Sequence, residues 1–263
     1  MKRFIDDVVK YYNYAVRSAK SALKTEVANS YLNWIWWILD PLFTMVIYYI
    51  IFGVVFKAKE PYFTTFIFIG LTMWSFFNKN VVQSVNMIKR NKPIVTKVYL
   101  PKFILLLSNM MVNGFKMLIS WAIVVIMMIF SRVGISWDIF AFIPVMVVLV
   151  LFTFAVCVNL MHYGVFIEDL SNVINISFKL LFYMTGIFYN IDKRIGADNP
   201  FIAKILTLCN PMAMLLHDMR NALIYHKGPH WIGLLVWGVI SVLLAIIGVR
   251  KIYKNENSYV KVI

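Results

Sequence analysis

The stretch FILLLSNMMVNGFKMLISWAIVVIMMIF, Phe103 to Phe130, carries one charged side chain, Lys116. It exceeds the roughly 20 apolar residues that cross about 30 Å of hydrocarbon. Five further runs flank it: Trp34 to Phe56, Tyr62 to Val85, Ile139 to Ile167, Val173 to Tyr189 and Trp231 to Val249. A chain with 61% hydrophobic and 14% charged residues has no way to hide that surface in water, so lipid is its solvent. The expected fold is all-α, a polytopic membrane protein with six transmembrane helices in residues 31–263 and an amphipathic interfacial helix in residues 1–30.

The charges set an expected orientation. With the N-terminus cytoplasmic, Lys2, Arg3, Lys10, Arg17, Lys20, Lys24, Lys79, Lys89, Arg90, Lys92, Lys97, Lys102, Arg250, Lys251, Lys254 and Lys261 fall inside. The short outer turns keep only Lys57, Lys59 and Arg132. The longer segment before the last span adds Lys193, Arg194, Lys204, Arg220 and Lys227 outside, where the bias is weaker. Both termini are therefore expected on the cytoplasmic side of a multi-pass membrane protein. The net charge of +14 reads as a topology signal and as attraction to anionic membrane lipids; nucleic acid is not an expected partner. No cleavable signal peptide is expected, because charged, amphipathic sequence runs to about Ser30.

In the first 30 residues, Phe4, Ile5, Val8, Val9, Tyr12, Ala15, Val16, Ala19, Ala22 and Leu23 recur at helical spacing, opposite Arg3, Asp7, Lys10, Arg17, Lys20 and Lys24. Such a helix lies in the interface with its apolar stripe in the acyl boundary and its basic stripe on lipid phosphates, or packs on the protein's own cytoplasmic loops. Between the second and third spans, residues 86–102 are basic and bracketed by Pro93 and Pro101, residues suited to helix starts and boundaries. One or two helical turns there would offer Ile94, Val98 and Tyr99 to a soluble partner; the alternative is a solvated basic loop.

Residues 190–230 are rich in breakers (Gly196, Pro200, Pro211, Gly228, Pro229) yet hold two apolar pieces, Phe201 to Cys209 and Met212 to Tyr225. Each is too short to span, which predicts a re-entrant helical hairpin with Leu215, Met219 and Leu223 as its apolar stripe and His217, Asp218 and Arg220 as polar contacts. Within the spans, Asn109, Asn113, Lys116 and Ser120 share one helix face, and Asn172, Asn175, Lys179, Tyr183, Gly186 and Asn190 make a second polar stripe. A lysine at mid-span costs about 3 kcal/mol, so Lys116 should face the bundle or a wet space; Lys179 lies near enough to a span end to snorkel. Either stripe alone could be interhelical hydrogen bonding. Together with Tyr48, Tyr49, Phe182, Tyr183, Phe188 and Tyr189 they point to a hydrated path able to stack on sugar rings. Trp34, Trp36 and Trp37 read as an interfacial belt.

Familiar chemistry is missing. No GxxxxGK[ST], GxSxG or HExxH occurs, Cys157 and Cys209 make neither CxxC nor a disulfide framework, and His162, His217, His226 and His230 lack metal-ligand spacing, with His226 and His230 read as surface-turn residues. No catalytic residue, no metal site and no cofactor on this chain are expected. Neither an internal repeat nor an inverted duplication is visible, which argues against a one-chain secondary transporter.

The order of Tyr31-Leu-Asn-Trp-Ile-Trp-Trp-Ile-Leu-Asp-Pro41, Gly70-Leu-Thr-Met-Trp-Ser-Phe-Phe77, the proline-bracketed loop, and Asn210-Pro211 followed by Arg220-Asn-Ala-Leu resembles the permease subunits of type 2 ABC exporters for cell-surface polysaccharide, such as O-antigen and teichoic acid exporters. The resemblance covers nearly the whole chain, and the tyrosine-, tryptophan- and lysine-rich composition looks more like the teichoic-acid branch. It implies a homodimer, each chain docked through the loop around Lys89, Arg90, Pro93, Ile94, Val98, Tyr99 and Pro101 on a separate ATPase subunit that carries ATP and Mg. It also implies a conduit lined by the first and fifth spans and capped outside by the hairpin, with an N-terminal helix gating the approach of a glycan on a polyprenyl diphosphate. Arg17, Lys20 and Lys24 are the candidates for the diphosphate, and Tyr48, Lys116, Lys179, Phe182, Tyr183, Phe188 and Tyr189 for the polysaccharide channel. Where the family usually has Arg-Asp before the fifth span, this chain has Glu168-Asp169. Two other readings are an exporter of the same fold for a drug, peptide or lipid, and a membrane enzyme using Glu168 and Asp169 on a polyprenyl phosphate; adjacent carboxylates point different ways on a helix, which disfavours the latter.

Overall fold

The computed structural model describes residues 2–28, 31–58, 60–134, 136–196 and 199–262, with Lys59 outside them. They form helices and connecting turns: α1 Lys2–Ala28, α2 Trp36–Tyr48 running on as a wider π-type turn Tyr49–Val55, α3 Phe63–Val85, α4 Met87–Arg90, α5 Lys92–Lys97 and α6 Lys102–Phe130. After them come α7 Phe142–Phe166, α8 Leu170–Met184, α9 Ile191–Arg194, α10 Pro200–Cys209, α11 Pro211–Arg220 with a π-type extension Asn221–Tyr225, α12 Trp231–Lys254 and α13 Glu256–Val262.

Among the described residues, four stretches are long and apolar enough to cross a membrane: 36–55, Lys102–Phe130, 137–166 and Trp231–Lys254. α10 and α11 meet at 100°, where Asn210 accepts hydrogen bonds from the Met212 and Ala213 amides and Pro211 opens the second helix. The two expected apolar pieces are thus two helices, and Leu215, Met219 and Leu223 are all buried.

α3 is the hub, packed by α2, α6, α7, α8 and α11. Its Phe66, Ile67, Ile69 and Met73 are fully buried, although its second half carries Asn78, Lys79, Asn80 and Gln83. Asn80 is also buried, and its amide oxygen accepts from Asn109 (3.2 Å) and Asn113 (2.9 Å) of α6. This helix therefore trades hydropathy for interhelical hydrogen bonds. Asn109 and Asn113 belong to that contact, so part of the expected α6 stripe is structural.

One buried cation ties the hub together. Arg220 donates to the carbonyls of Phe66 (3.1 and 3.3 Å), Gly186 (2.8 Å) and Ile187 (2.8 Å), and its guanidinium lies 3.5 Å over the Phe66 ring. Gly70 sits one helical turn after Phe66, where a Cβ would stand 2.7 Å from Arg220 Nη2. The Gly70 and Arg220 motifs, far apart in sequence, are two sides of one contact.

The fifth expected span, Val173 to Tyr189, is shorter than read. α8 stops at Met184, because the Thr185 hydroxyl bonds back to the Leu181 carbonyl and Gly186 turns the chain at φ 72°. Ile187 and Phe188 then fold into the core.

α1 also differs from a helix lying flat in the interface. Phe4, Val8 and Tyr11 pack on the core, and Ala15 and Ala19 are buried. Phe4 meets Phe103 at 4.9 Å near the start of α6, whereas Glu26 reaches Lys116 at 2.6 Å, about 20 Å further along that helix. The helix climbs beside α6, leaving Ile5, Val9 and Tyr12 exposed. One apolar stripe packs on protein along one edge and stays exposed along the other.

Both ends of the chain meet the loop between α3 and α6. Tyr99 accepts from Arg3 (2.8 Å) and donates to Glu256 (3.4 Å), Lys102 lies 3.7 Å from Glu256, and Tyr253 donates to Asp7. In α13, burial and the nearby Glu256 push the Tyr259 hydroxyl well above its ordinary range. It stays neutral and pairs with His162 at 2.7 Å.

Candidate functional site

A cleft of about 870 Å³ opens between α2 and α8, floored by α3 and α6. Its walls carry Tyr48, Trp74, Phe182 and Tyr183, and its charged lining is Glu26, Asp40, Lys79, Lys116 and Lys179. Lys116 pairs with Glu26 at 2.6 Å and Lys79 with Asp40 at 3.4 Å; among the described residues Lys179 has no ion-pair partner. Three lysines against two carboxylates leave the lining cationic. The arrangement offers ring faces beside hydroxyls, on which an apolar ring face can stack, and an unmatched ammonium that can pair with an anionic group.

Sequence reasoning placed Tyr48, Lys116, Lys179, Phe182 and Tyr183 on this path, and all five line the cleft. Asn113, Ser120 and Asn175 join them from the two polar stripes. Phe188 and Tyr189 do not. Phe188 is 3% exposed and stacks on Phe52 at 4.1 Å, while Tyr189 donates to the Tyr183 carbonyl and lines a separate crevice beside Arg220. The Gly186 turn carries both away from the α8 face. Glu26, Asp40 and Lys79 were missed as site residues, although an Asp inside an apolar run, as in Leu39-Asp-Pro41, is a signal for a polar cavity.

A second hollow of about 890 Å³ runs along α1 past Asn13, Arg17, Ser21 and Glu26. Arg17 thus faces a groove that shares Glu26 with the cleft. Lys20 and Lys24 are exposed beside it and line neither hollow.

The loop 86–102 forms the short helices α4 and α5. Arg90, Pro93, Val98 and Tyr99 are exposed and Lys89 half-buried, as a docking surface needs. Ile94 is half-buried against the core and Pro101 is buried at the start of α6. These two hold the loop in place instead of presenting it, and the Tyr99 hydroxyl is engaged by Arg3 and Glu256. Glu168 and Asp169 are exposed, and their carboxylates make no ion pair among the described residues, while the Asp169 carbonyl accepts from the Asn172 and Val173 amides that open α8.

At the opposite end of the bundle, His217, Asp218 and His230 converge. His230 Nδ1 lies 2.7 Å from Asp218 Oδ1, His217 Nδ1 lies 3.6 Å from the same oxygen, and His217 Nε2 lies 2.8 Å from Asp192 Oδ2. His226 is a surface-turn residue at φ 53°. His230 is more than that, since it closes on a carboxylate that is wholly buried.

Helical composition and several membrane-length apolar helices, with an aromatic, cationic cleft among them, describe a multi-pass membrane protein. Its resemblance to the permease subunits of type 2 ABC exporters is carried by three relatives. The chain is 23% identical over 244 residues, 93% of each protein, to the O-antigen export system permease protein RfbA of Myxococcus xanthus. Two O-antigen export system permease proteins RfbA of Klebsiella pneumoniae are 28% identical, one over 76% of this chain and 75% of its own length, the other over 70% and 74%. No family model matches the chain.

Proposed function

We propose that this chain is the membrane subunit of an ATP-driven exporter that moves a polyprenyl-diphosphate-linked polysaccharide, of O-antigen or teichoic-acid type, across the bacterial cytoplasmic membrane. Two copies enclose the path, and each rests on a separate ATPase subunit through residues 86–102. The observation that carries the reading is that the groove along α1, lined by Arg17, shares Glu26 with the aromatic cleft between α2 and α8. A diphosphate attracted by Arg17, with Lys20 and Lys24 beside it, would stand at the mouth of a lining suited to the sugars. The relatives' role in O-antigen export supports the glycan class.

In this reading α2, α3, α6, α7, α8 and α12 cross the membrane, and α10–α11 dips back from the outer face. α8 is short at about 22 Å, and its crossing is completed by the turn through Phe188. α2 and α8 leave Phe43, Ile47, Ile50, Ile176 and Leu180 exposed, the apolar surface a second copy would cover. The network joining Arg3, Tyr99 and Glu256 favours both termini on the ATPase side, and a push on the loop would reach α1 through it.

The test is ATPase stimulation in the complex of this chain with its nucleotide-binding subunit, reconstituted in nanodiscs. Lipid-linked glycan should stimulate hydrolysis over carrier lipid alone. Stimulation by hydrophobic drugs or peptides with none by the glycan would transfer the fold to the other cargo class.

A further inference from the structure

We infer that His217, Asp218 and His230 form a binding site for a divalent transition cation, zinc being the best match, at the end of the bundle opposite loop 86–102. One ligand atom from each residue lies within 4.8 Å of the other two. Two imidazoles and a carboxylate are a zinc donor set, and three protein ligands leave a fourth position for water. Zinc bonds of about 2.0–2.1 Å put tetrahedral ligand atoms roughly 3.3 Å apart. The two separations to Asp218 Oδ1, 2.7 and 3.6 Å, lie either side of that spacing, and the third is within 4.8 Å.

Three further observations favour an ion over a chance cluster. Asp218 is 0% exposed, and its Oδ2 has no hydrogen-bond partner, a costly state for a carboxylate that a cation would relieve. His217 is set as a ligand through its far nitrogen: Nε2 faces Asp192 at 2.8 Å, which leaves Nδ1 as the acceptor nitrogen, and the Asn221 amide now 3.2 Å from Nδ1 would give way to the ion. A ligating histidine typically donates its other N–H to such a carboxylate, which fixes the tautomer. Access is provided as well, since the His230 side chain is half-exposed and, with Asp192, lines an open hollow of about 400 Å³. In consequence the ion would pin the start of α12 to α11 and α9, joining three elements that sequence keeps apart. The site is independent of the cargo.

The experiment uses the purified full-length chain in detergent micelles, stripped with chelator and titrated with zinc against a chromogenic competitor, with bound metal counted by mass spectrometry. One zinc per chain is expected. His230→Gln, at a half-exposed side chain, should weaken binding at least tenfold, and Asp192→Asn, which touches no metal, should weaken it about 10- to 100-fold. Circular dichroism of both variants should match the unaltered chain. The inference falls if the unaltered chain yields its zinc to a weak competitor, or if either variant holds zinc with undiminished affinity, which would leave a hydrogen-bonded His–Asp pair only.

Discussion

Replacing Arg220 by methionine tests the central packing claim, because methionine retains the apolar stem but ends before the guanidinium begins. The Gly186 and Ile187 carbonyls lie in the turn after α8 and receive Arg220 at 2.8 Å each; the Phe66 carbonyl belongs to a helix and has that helix's own donor. Stranding two buried carbonyls costs about 2–6 kcal/mol, at roughly 1–3 each. Relief of the arginine's own desolvation offsets part of this, so we expect a net loss of about 3 kcal/mol. Gly70→Ala attacks the same contact from the other side by placing a Cβ 2.7 Å from Nη2, an overpacking expected to cost about 1–3 kcal/mol. In the Arg220→Met background Nη2 is gone, and alanine should be nearly free or helpful, since glycine inside a helix costs about 1 kcal/mol relative to alanine. Reversible unfolding by SDS titration in mixed micelles would give the four free energies. A double variant more stable than the sum by at least about 1 kcal/mol supports the contact; additivity within about 0.5 kcal/mol refutes it.

Four other perturbations separate transport from folding. Tyr183→Ala should lower glycan export with little loss of stability, because that ring is 56% exposed; unchanged export in a cell-surface glycan assay would remove it from the path. Phe182→Ala should unfold more easily, by about 2 kcal/mol, less than a fully buried phenylalanine, because its ring touches Tyr48, Trp74 and Phe188, and SDS titration reads this directly. Lys116→Glu should impair export and Glu26→Lys in the same chain should restore part of it, whereas an exposed ion pair without a role would move unfolding by under about 1 kcal/mol and leave export unchanged. Tyr99→Phe removes the hydroxyl between Arg3 and Glu256 and should leave basal ATP hydrolysis in the complex intact while weakening its stimulation by glycan; equal stimulation would disconnect this node from coupling.

Much of the architecture was legible in composition and periodicity. Burial of apolar runs is a local property of sequence, so the long helices, the two short apolar pieces around Asn210-Pro211 and the amphipathic first helix could be read residue by residue. The partition of side chains among contacts could not. Asn109 looks like a path residue in sequence and is spent on Asn80, while Asn113 both bonds to Asn80 and lines the cleft. Phe188 and Tyr189 were displaced by a turn that depends on Gly186 adopting a left-handed backbone, and histidine spacing along the chain gave no hint that residues 217 and 230 meet.

By itself the sequence determined the solvent, the helices and the charge bias, because hydropathy and 3.6-residue periodicity act over one or two turns. Only the tertiary structure decided which polar side chain faces another helix, which faces the cleft and which carries Arg220 or Asp218. Those choices arise when elements distant in sequence are brought within hydrogen-bond range, where the low dielectric of the packed bundle makes each unpaired buried group expensive.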